Sequence, residues 1–146
     1  MADPTSTNEL RVRLVTPERT LVEACAASVE LPAKNGYMEV LYGHAPLLSE
    51  LGAGDVRLHG VIGENQAADQ IFNVNWGFVE VLPDRVTILA NDALRPDEID
   101  ANRAQLQLDK GHKLWNEAGD SEEAYDNALE VIAEAESKLA TAQEKH

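Results

Sequence analysis

The chain has 146 residues, 44% of them apolar, with 26 acidic against 12 basic side chains and a formal charge of −14. That length holds one ordinary domain, or a domain of about 95 residues with a helical appendage, on the usual scale of roughly 100–200 residues per domain. Composition excludes several classes: nucleic-acid binders need clustered Lys and Arg to neutralise phosphate, a bilayer span needs roughly 18 apolar residues in a row, and Cys25, the one cysteine, allows neither an intrachain disulfide nor a thiolate metal cluster.

The first residues, Met1 to Asn8, show neither a basic end followed by an apolar run nor an Arg-rich amphipathic pattern. Residues 1–8 read as a disordered tail of a protein kept in the cytosol. From Leu10 to Leu89 apolar residues fall on every second position: Leu10, Val12 and Leu14 alternate with Arg11 and Arg13, Val79 and Val81 flank Glu80, and Val86 and Ile88 flank Thr87. This period of two predicts strands with one wet face. Cys25, set among Ala24, Ala26 and Ala27, reads as a small buried thiol rather than a nucleophile.

Turn signals punctuate the strands at Thr16-Pro17-Glu18-Arg19, Pro32 to Gly36, Gly52-Ala53-Gly54-Asp55, Gly60 to Gln66 and Leu82-Pro83-Asp84-Arg85. The last joins two alternating runs with Pro and Asp at favourable positions, which predicts a hairpin. Between them lies Gly43-His44-Ala45-Pro46-Leu47-Leu48, where a Gly-His turn followed by Pro inside an apolar run forces an irregular crossing between strands. Eight to ten short strands with turns this close predict a sandwich or flattened barrel over residues 9–92.

After Arg95 the period changes. Pro96 suits a first helical position, and Asp97, Glu98 and Asp100 place negative charge at the positive end of a helix dipole, so a helix is expected from about Pro96 to Asn116. Gly119 marks a break, and Asp120 with Glu123 predicts a capping box for a second helix running almost to the C-terminus. Small residues recur at helical spacing on both, Ala101, Ala104, Leu108, Gly111 and Trp115 on the first and Ala124, Ala128, Val131, Ala135, Leu139 and Ala142 on the second. Such seams predict an antiparallel hairpin over residues 96–146 whose helices bury little area and hold each other modestly.

Four segments in order, Leu14-Val15-Thr16-Pro17-Glu18, Leu31-Pro32 through Gly36 with Gly43 to Leu48, Gly77-Phe78-Val79-Glu80-Val81 with Arg85 to Ala90, and Ile99-Asp100-Ala101-Asn102-Arg103-Ala104, resemble the epsilon-subunit family of bacterial F-type ATP synthases, called delta in mitochondria. The resemblance runs from Leu10 onward. It implies an α+β fold, an N-terminal flattened ten-stranded β-sandwich followed by a C-terminal antiparallel two-helix hairpin. It also implies a non-catalytic rotor subunit on the cytoplasmic face of the bacterial inner membrane. There the sandwich binds the gamma subunit and the c-ring, and the hairpin can extend along gamma toward the beta and alpha subunits and block ATP hydrolysis. The resemblance places the partner interface at Tyr42, Gly43, His44, Ala45, Pro46, Leu47 and Leu48. Ala33 and Tyr37 stand where the family often has Gly and Gly-Glu, Tyr42 where Pro is common, and Trp76 where a small residue precedes Gly77. These departures add bulk near the contact loops.

Candidate chemistry is sparse. His44 invites a metal or acid-base reading, but no partner with ligand spacing accompanies it, and His59, His112 and His146 are scattered, so no metal site is expected. Gly52-Ala53-Gly54 lacks the Gly-Lys-Ser/Thr of a phosphate loop and reads as a strand connection, and no activated serine or paired catalytic carboxylates are found. In some bacterial relatives the folded hairpin binds ATP, and Ile99, Asp100, Arg103 and Ala104 match the first part of that site. Arg103 would pair with phosphate and Asp100 would accept from the adenine amino group. The second helix supplies no arginine from Glu122 to His146, and Leu94 stands where those relatives have Glu, so no cofactor is expected and Asp100 with Arg103 reads as an exposed i,i+3 pair. A free-standing small-ligand sandwich is the alternative, for which the sequence offers no constellation.

Overall fold

A computed structural model describes residues 9–62 and 68–143. The expected tail at 1–8, most of the turn after Ile62, and His146 lie outside the described residues. By its internal contacts the chain divides into two compact units, Met1–Ala93 and Leu94–His146.

The first unit is built from β1 (Leu10–Val15), β2 (Thr20–Ala26), β3 (Ser28–Ala33), β4 (Gly36–Leu41), β5 (Leu47–Leu51), β6 (Gly54–Val61), β7 (Ala68–Leu82) and β8 (Arg85–Leu94). They form one hydrogen-bonded sheet in the order β2-β1-β8-β7-β5-β3-β4, with β6 pairing β3 and β7. Both β5 and β6 therefore bridge β3 to β7, and an isolated bridge between Cys25 and Ile62 ties β2 to the end of β6. The sheet folds over on itself and encloses one core. Alternation decides what enters it: in β1, Leu10, Val12 and Leu14 are fully buried while Arg11 and Arg13 face out. Val29 and Leu31, Val56 and Leu58, Val79 and Val81, and Val86 and Ile88 follow the same rule. Each such side chain contributes roughly 1.5–3 kcal/mol on burial.

Eight strands are described where the resemblance implied ten. The longest is β7, whose first half pairs with β6 through Ala68–Val74 and whose second half pairs with β5 through Gly77–Val81. Trp76 and Gly77 take positive φ, 46° and 138°, and bend the strand without ending it. Leu82-Pro83-Asp84-Arg85 forms the expected two-residue connection between β7 and β8.

The second unit opens with a 3₁₀ turn, Pro96–Glu98, followed by α1 (Ala101–Glu117) and α2 (Glu122–Gln143). The helix expected from Pro96 starts five residues later, because Asp100 is extended and its carboxylate accepts the Arg103 N–H at 3.1 Å, capping α1 there. The cap of α2 is likewise Ser121, whose Oγ accepts the Ala124 N–H at 3.2 Å, in place of the expected Asp120–Glu123 box. Of the two seams, Ala104, Gly111, Ala128 and Ala135 are buried, whereas Ala101 and Trp115 are exposed and Trp115 lies edge-tilted on Tyr125 with ring centroids 5.9 Å apart. Gly111 sets the approach of the helices: a Cβ there would lie 2.7 Å from Ile132 Cγ1 and 3.2 Å from the Ile132 nitrogen.

At Gly77 a Cβ would collide with the Leu89 carbonyl oxygen of β8, on a backbone already in the region that favours glycine. Gly77→Ala is expected to destabilise the sandwich by more than ~2 kcal/mol, read as a lowered denaturant midpoint by circular dichroism. An unchanged midpoint would show that β7 bends without this close approach.

Candidate functional site

The connection between β4 and β5 is anchored by backbone hydrogen bonds in its first half. Gly43 N–H donates to the Pro83 carbonyl at 2.6 Å, and His44 N–H donates to the Leu41 carbonyl at 3.2 Å. Arg11 N–H donates to the Asp84 carbonyl at 3.0 Å, so the β4–β5 connection, the β7–β8 turn and the start of β1 share one end of the sandwich. His44 Nδ1 lies 2.7 Å from the Ala45 carbonyl. A carbonyl only accepts, so Nδ1 carries the proton and the imidazole is a brace within its own loop. This fixed segment presents apolar side chains to solvent: Leu48 is 71% exposed, Tyr42 46% and Leu47 39%. Both Leu47 and Leu48 are exposed although they point to opposite faces of β5, paired with Val81 and Glu80. Exposed large apolar side chains on both faces of a braced turn make this segment a candidate partner surface.

The other four residues singled out in the sequence cluster around the start of α1. Asp100 and Arg103 are exposed, Ile99 is half-buried and Ala104 is buried. The expected side-chain pair is replaced by a contact from the Asp100 carboxylate to the Arg103 backbone, so Asp100 is committed to capping.

Register brings together two groups that the sequence keeps far apart. Glu30 of β3 faces Glu39 of β4 and Arg57 of β6, and Ser28 faces His59, so Glu30, Glu39 and His59 share one outer face. His59 Nε2 lies 2.7 Å from Glu30 Oε1, and its Nδ1 lies 3.2 Å from Asp69 Oδ2. Gly60 N–H donates to the other Asp69 oxygen at 3.1 Å. Elsewhere Arg11, Arg13 and Arg85 line a cavity of about 400 Å³ with Glu23, Glu80 and Cys25. Cys25 is half-buried, more open than its alanine setting suggested. The arginines do cluster, but Glu23 and Glu80 interleave with them and break up a continuous basic surface.

Residues 9–96 match the family model described as the β-sandwich domain of the ATP synthase delta/epsilon chain. The chain belongs to that family. An ATP synthase epsilon chain of Solibacter usitatus is 40% identical over 137 residues, 93% of this chain and 97% of that relative. One of Koribacter versatilis is 47% identical over 92 residues, 63% of this chain and 61% of the relative. Among solved structures, the Euglena gracilis mitochondrial ATP synthase (OSCP/F1/c-ring) contains a chain similar at a TM-score of 0.73 and 18% identity, covering 95% of this chain and 84% of that one. A chain of the Tetrahymena thermophila mitochondrial ATP synthase central stalk/c-ring is similar at 0.63 and 13%, covering 92% and 96%. At those identities the structural likeness establishes the fold. As a delta/epsilon family member, the chain is a subunit of an ATP synthase. Among the described residues no helix is long and apolar enough to cross a membrane.

The His59 group bears on the stability of this family's sandwich. Hydrogen bonds to Glu30 and then Asp69 raise the imidazole above its ordinary 6.5 against a smaller opposing effect of burial. The Gly60 N–H, and then His59, lower Asp69 below 3.8. A raised histidine contributes stability that is full below the unfolded value and lost as pH rises through the folded one; a lowered aspartate contributes stability lost as pH falls through its folded value. The groups facing His59 are Glu30, Glu39 and Asp69, with Arg57 two residues away on its own strand and paired to Asp55. In metal-free buffer, thermal stability is expected to decline as pH rises from about 6.5 into the mildly alkaline range. His59→Gln should flatten that decline, and an equal decline in the variant would assign it to other groups.

Proposed function

We propose that the loop end of the sandwich, Tyr42 to Leu48, docks this subunit onto the gamma subunit and the c-ring, so that rotation driven by proton flow reaches the catalytic head through gamma. The carrying observation is the exposed apolar set Tyr42, Leu47 and Leu48 on a connection braced at Pro83 and Leu41. The c-ring assemblies to which the similar solved chains belong support the same reading. In it the subunit has no active site of its own and sits peripherally at the cytoplasmic face of a bacterial inner membrane. Its role is mechanical: a surface that moves with its neighbours must not slip, and a pre-ordered apolar turn meets that need with little ordering cost.

Leu48→Glu would place a carboxylate in the buried centre of that contact while leaving a residue that is solvent-exposed in the free subunit. ATP synthesis by membranes carrying the assembled enzyme is expected to fall about tenfold or more, the factor corresponding to ~1.4 kcal/mol of docking. The isolated variant should keep its thermal midpoint. Synthesis at the wild-type rate would overturn the assignment of this surface.

For the hairpin we propose weak regulation of ATP hydrolysis through beta and alpha, and weak or absent ATP binding at Ile99, Asp100, Arg103 and Ala104. Residues 97–146 hold five cations, Arg103, Lys110, Lys113, Lys138 and Lys145, against thirteen carboxylates. Contact of the extended helices with an acidic segment of beta is opposed by that charge, and so is a triphosphate. Deleting the chain from Asp97 onward is expected to change hydrolysis by less than about twofold, within the ~0.4 kcal/mol that such weak coupling represents. Calorimetry of the full chain with ATP should show no saturation at micromolar concentrations. A large rise in hydrolysis, or micromolar ATP affinity, would refute the respective claim.

A further inference from the structure

We propose that Glu30, Glu39 and His59 form a binding site for a divalent transition-metal ion of the zinc class. One ligand atom from each, a carboxylate oxygen of Glu30 and of Glu39 and a ring nitrogen of His59, lies within 4.8 Å of the other two. Around a tetrahedral ion with bonds of ~2.0–2.1 Å, ligand atoms are ~3.3 Å apart, so modest side-chain adjustment closes the set. All three residues stand on neighbouring strands, β4, β3 and β6, whose register fixes their backbones. The ion would occupy three protein ligands and leave a position for water.

Two features beyond the ligand distances point to a cation. The first is the direct opposition of Glu30 and Glu39 across an antiparallel pair, an arrangement of like charges that costs stability. Glu39 makes no hydrogen bond or ion pair among the described residues. With Asp69 added, three carboxylates surround one imidazole. A proton on His59 neutralises one of these charges, whereas a divalent ion neutralises two. The second feature is the far side of the ring. Asp69 accepts from His59 Nδ1 and is itself held by the Gly60 N–H. This is the carboxylate-imidazole support that fixes tautomer and ring plane in metal-ligating histidines, leaving Nε2 as the coordinating atom. Binding replaces the proton at Nε2, and that proton leaves to solvent. The bound ion would pin edge strand β4, which leads directly into Tyr42, to β3 and β6.

The test is calorimetric titration of the untagged full chain with zinc chloride at pH 7.5, alongside His59→Gln and Glu39→Gln. Glu39 is exposed and makes no hydrogen bond or ion pair among the described residues, so Glu39→Gln should keep the wild-type fold, with a metal-free thermal midpoint at or slightly above the wild type because the opposition to Glu30 is relieved. The wild type is expected to bind one equivalent at about micromolar affinity, Glu39→Gln about tenfold or more weakly, and His59→Gln without saturation. Zinc should raise the thermal midpoint of the wild type and leave that of His59→Gln unmoved. The cobalt-substituted protein should lack an intense thiolate-to-metal band, which separates this site from Cys25. Absence of saturable binding below about 100 μM, a dissociation constant equivalent to ~5.5 kcal/mol, would overturn the proposal. So would equal affinity in all three proteins, because it would place the ion at another histidine or on the acidic surface at large.

Discussion

The bend at Trp76–Gly77 governs the architecture of the sandwich. Without it β7 would leave β6 and β5 in one plane, and the two halves of the sheet could not face each other across a shared core. Two residues in succession at positive φ supply the change of direction, and the Trp76 N–H is held by the Gly52 carbonyl at 3.2 Å, anchoring the bend to the β5–β6 connection. A left-handed tryptophan costs stability that only a well-determined surrounding can supply. Here that surrounding is the whole core on either side, Val74 and Val79 being fully buried just before and after the bend. The braced loop end depends on the same element, because the turn that holds Gly43 through Pro83 is the end of β7.

The second unit obeys a different economy of contact. Its helices meet through alanine and glycine, and the Gly111–Ile132 approach brings backbone close to side chain without burying much area. Dispersion is then concentrated at a few positions, and a single methyl group at Gly111 would push the helices apart. Polar links such as Gln107 to Glu134 at 3.0 Å add direction rather than much strength. Small residues thus give a hairpin whose helices meet at close range over little area, in contrast with the large branched side chains of the sandwich.

Much of this was legible in the sequence because period and turn chemistry are local. The alternation at Leu10–Leu14, the Leu82–Arg85 connection and the Gly43–Leu48 crossing all follow from residues within a few positions of one another. Helix starts were less legible, since Asp100 and Asp120 look alike as caps and only backbone geometry selects the first, while Ser121 displaces the second. The bend inside β7 was hidden because tryptophan rarely adopts a left-handed backbone. The Glu30, Glu39 and His59 group was hidden for a deeper reason. Strand register decides which residues meet, and no local spacing in the sequence encodes that three residues spread over 30 positions share one face.

A chain of formal charge −14 repels acidic neighbours over distances comparable with the screening length, about 8–10 Å in physiological salt. Docking therefore belongs where carboxylates are few, and from Tyr42 to Ser49 there is none. Acidic side chains border it: Glu39 on β4, Glu80 opposite Leu48, Asp84 beside the Pro83 that holds Gly43, and Glu50 on β5, the last paired with Lys34 at 3.2 Å. An apolar window inside an acidic surface selects by exclusion: a partner must bring apolar groups to the centre, and it gains by bringing cations to the rim. Position of charge, as much as exposed apolar area, supports the docking proposed for this end of the sandwich.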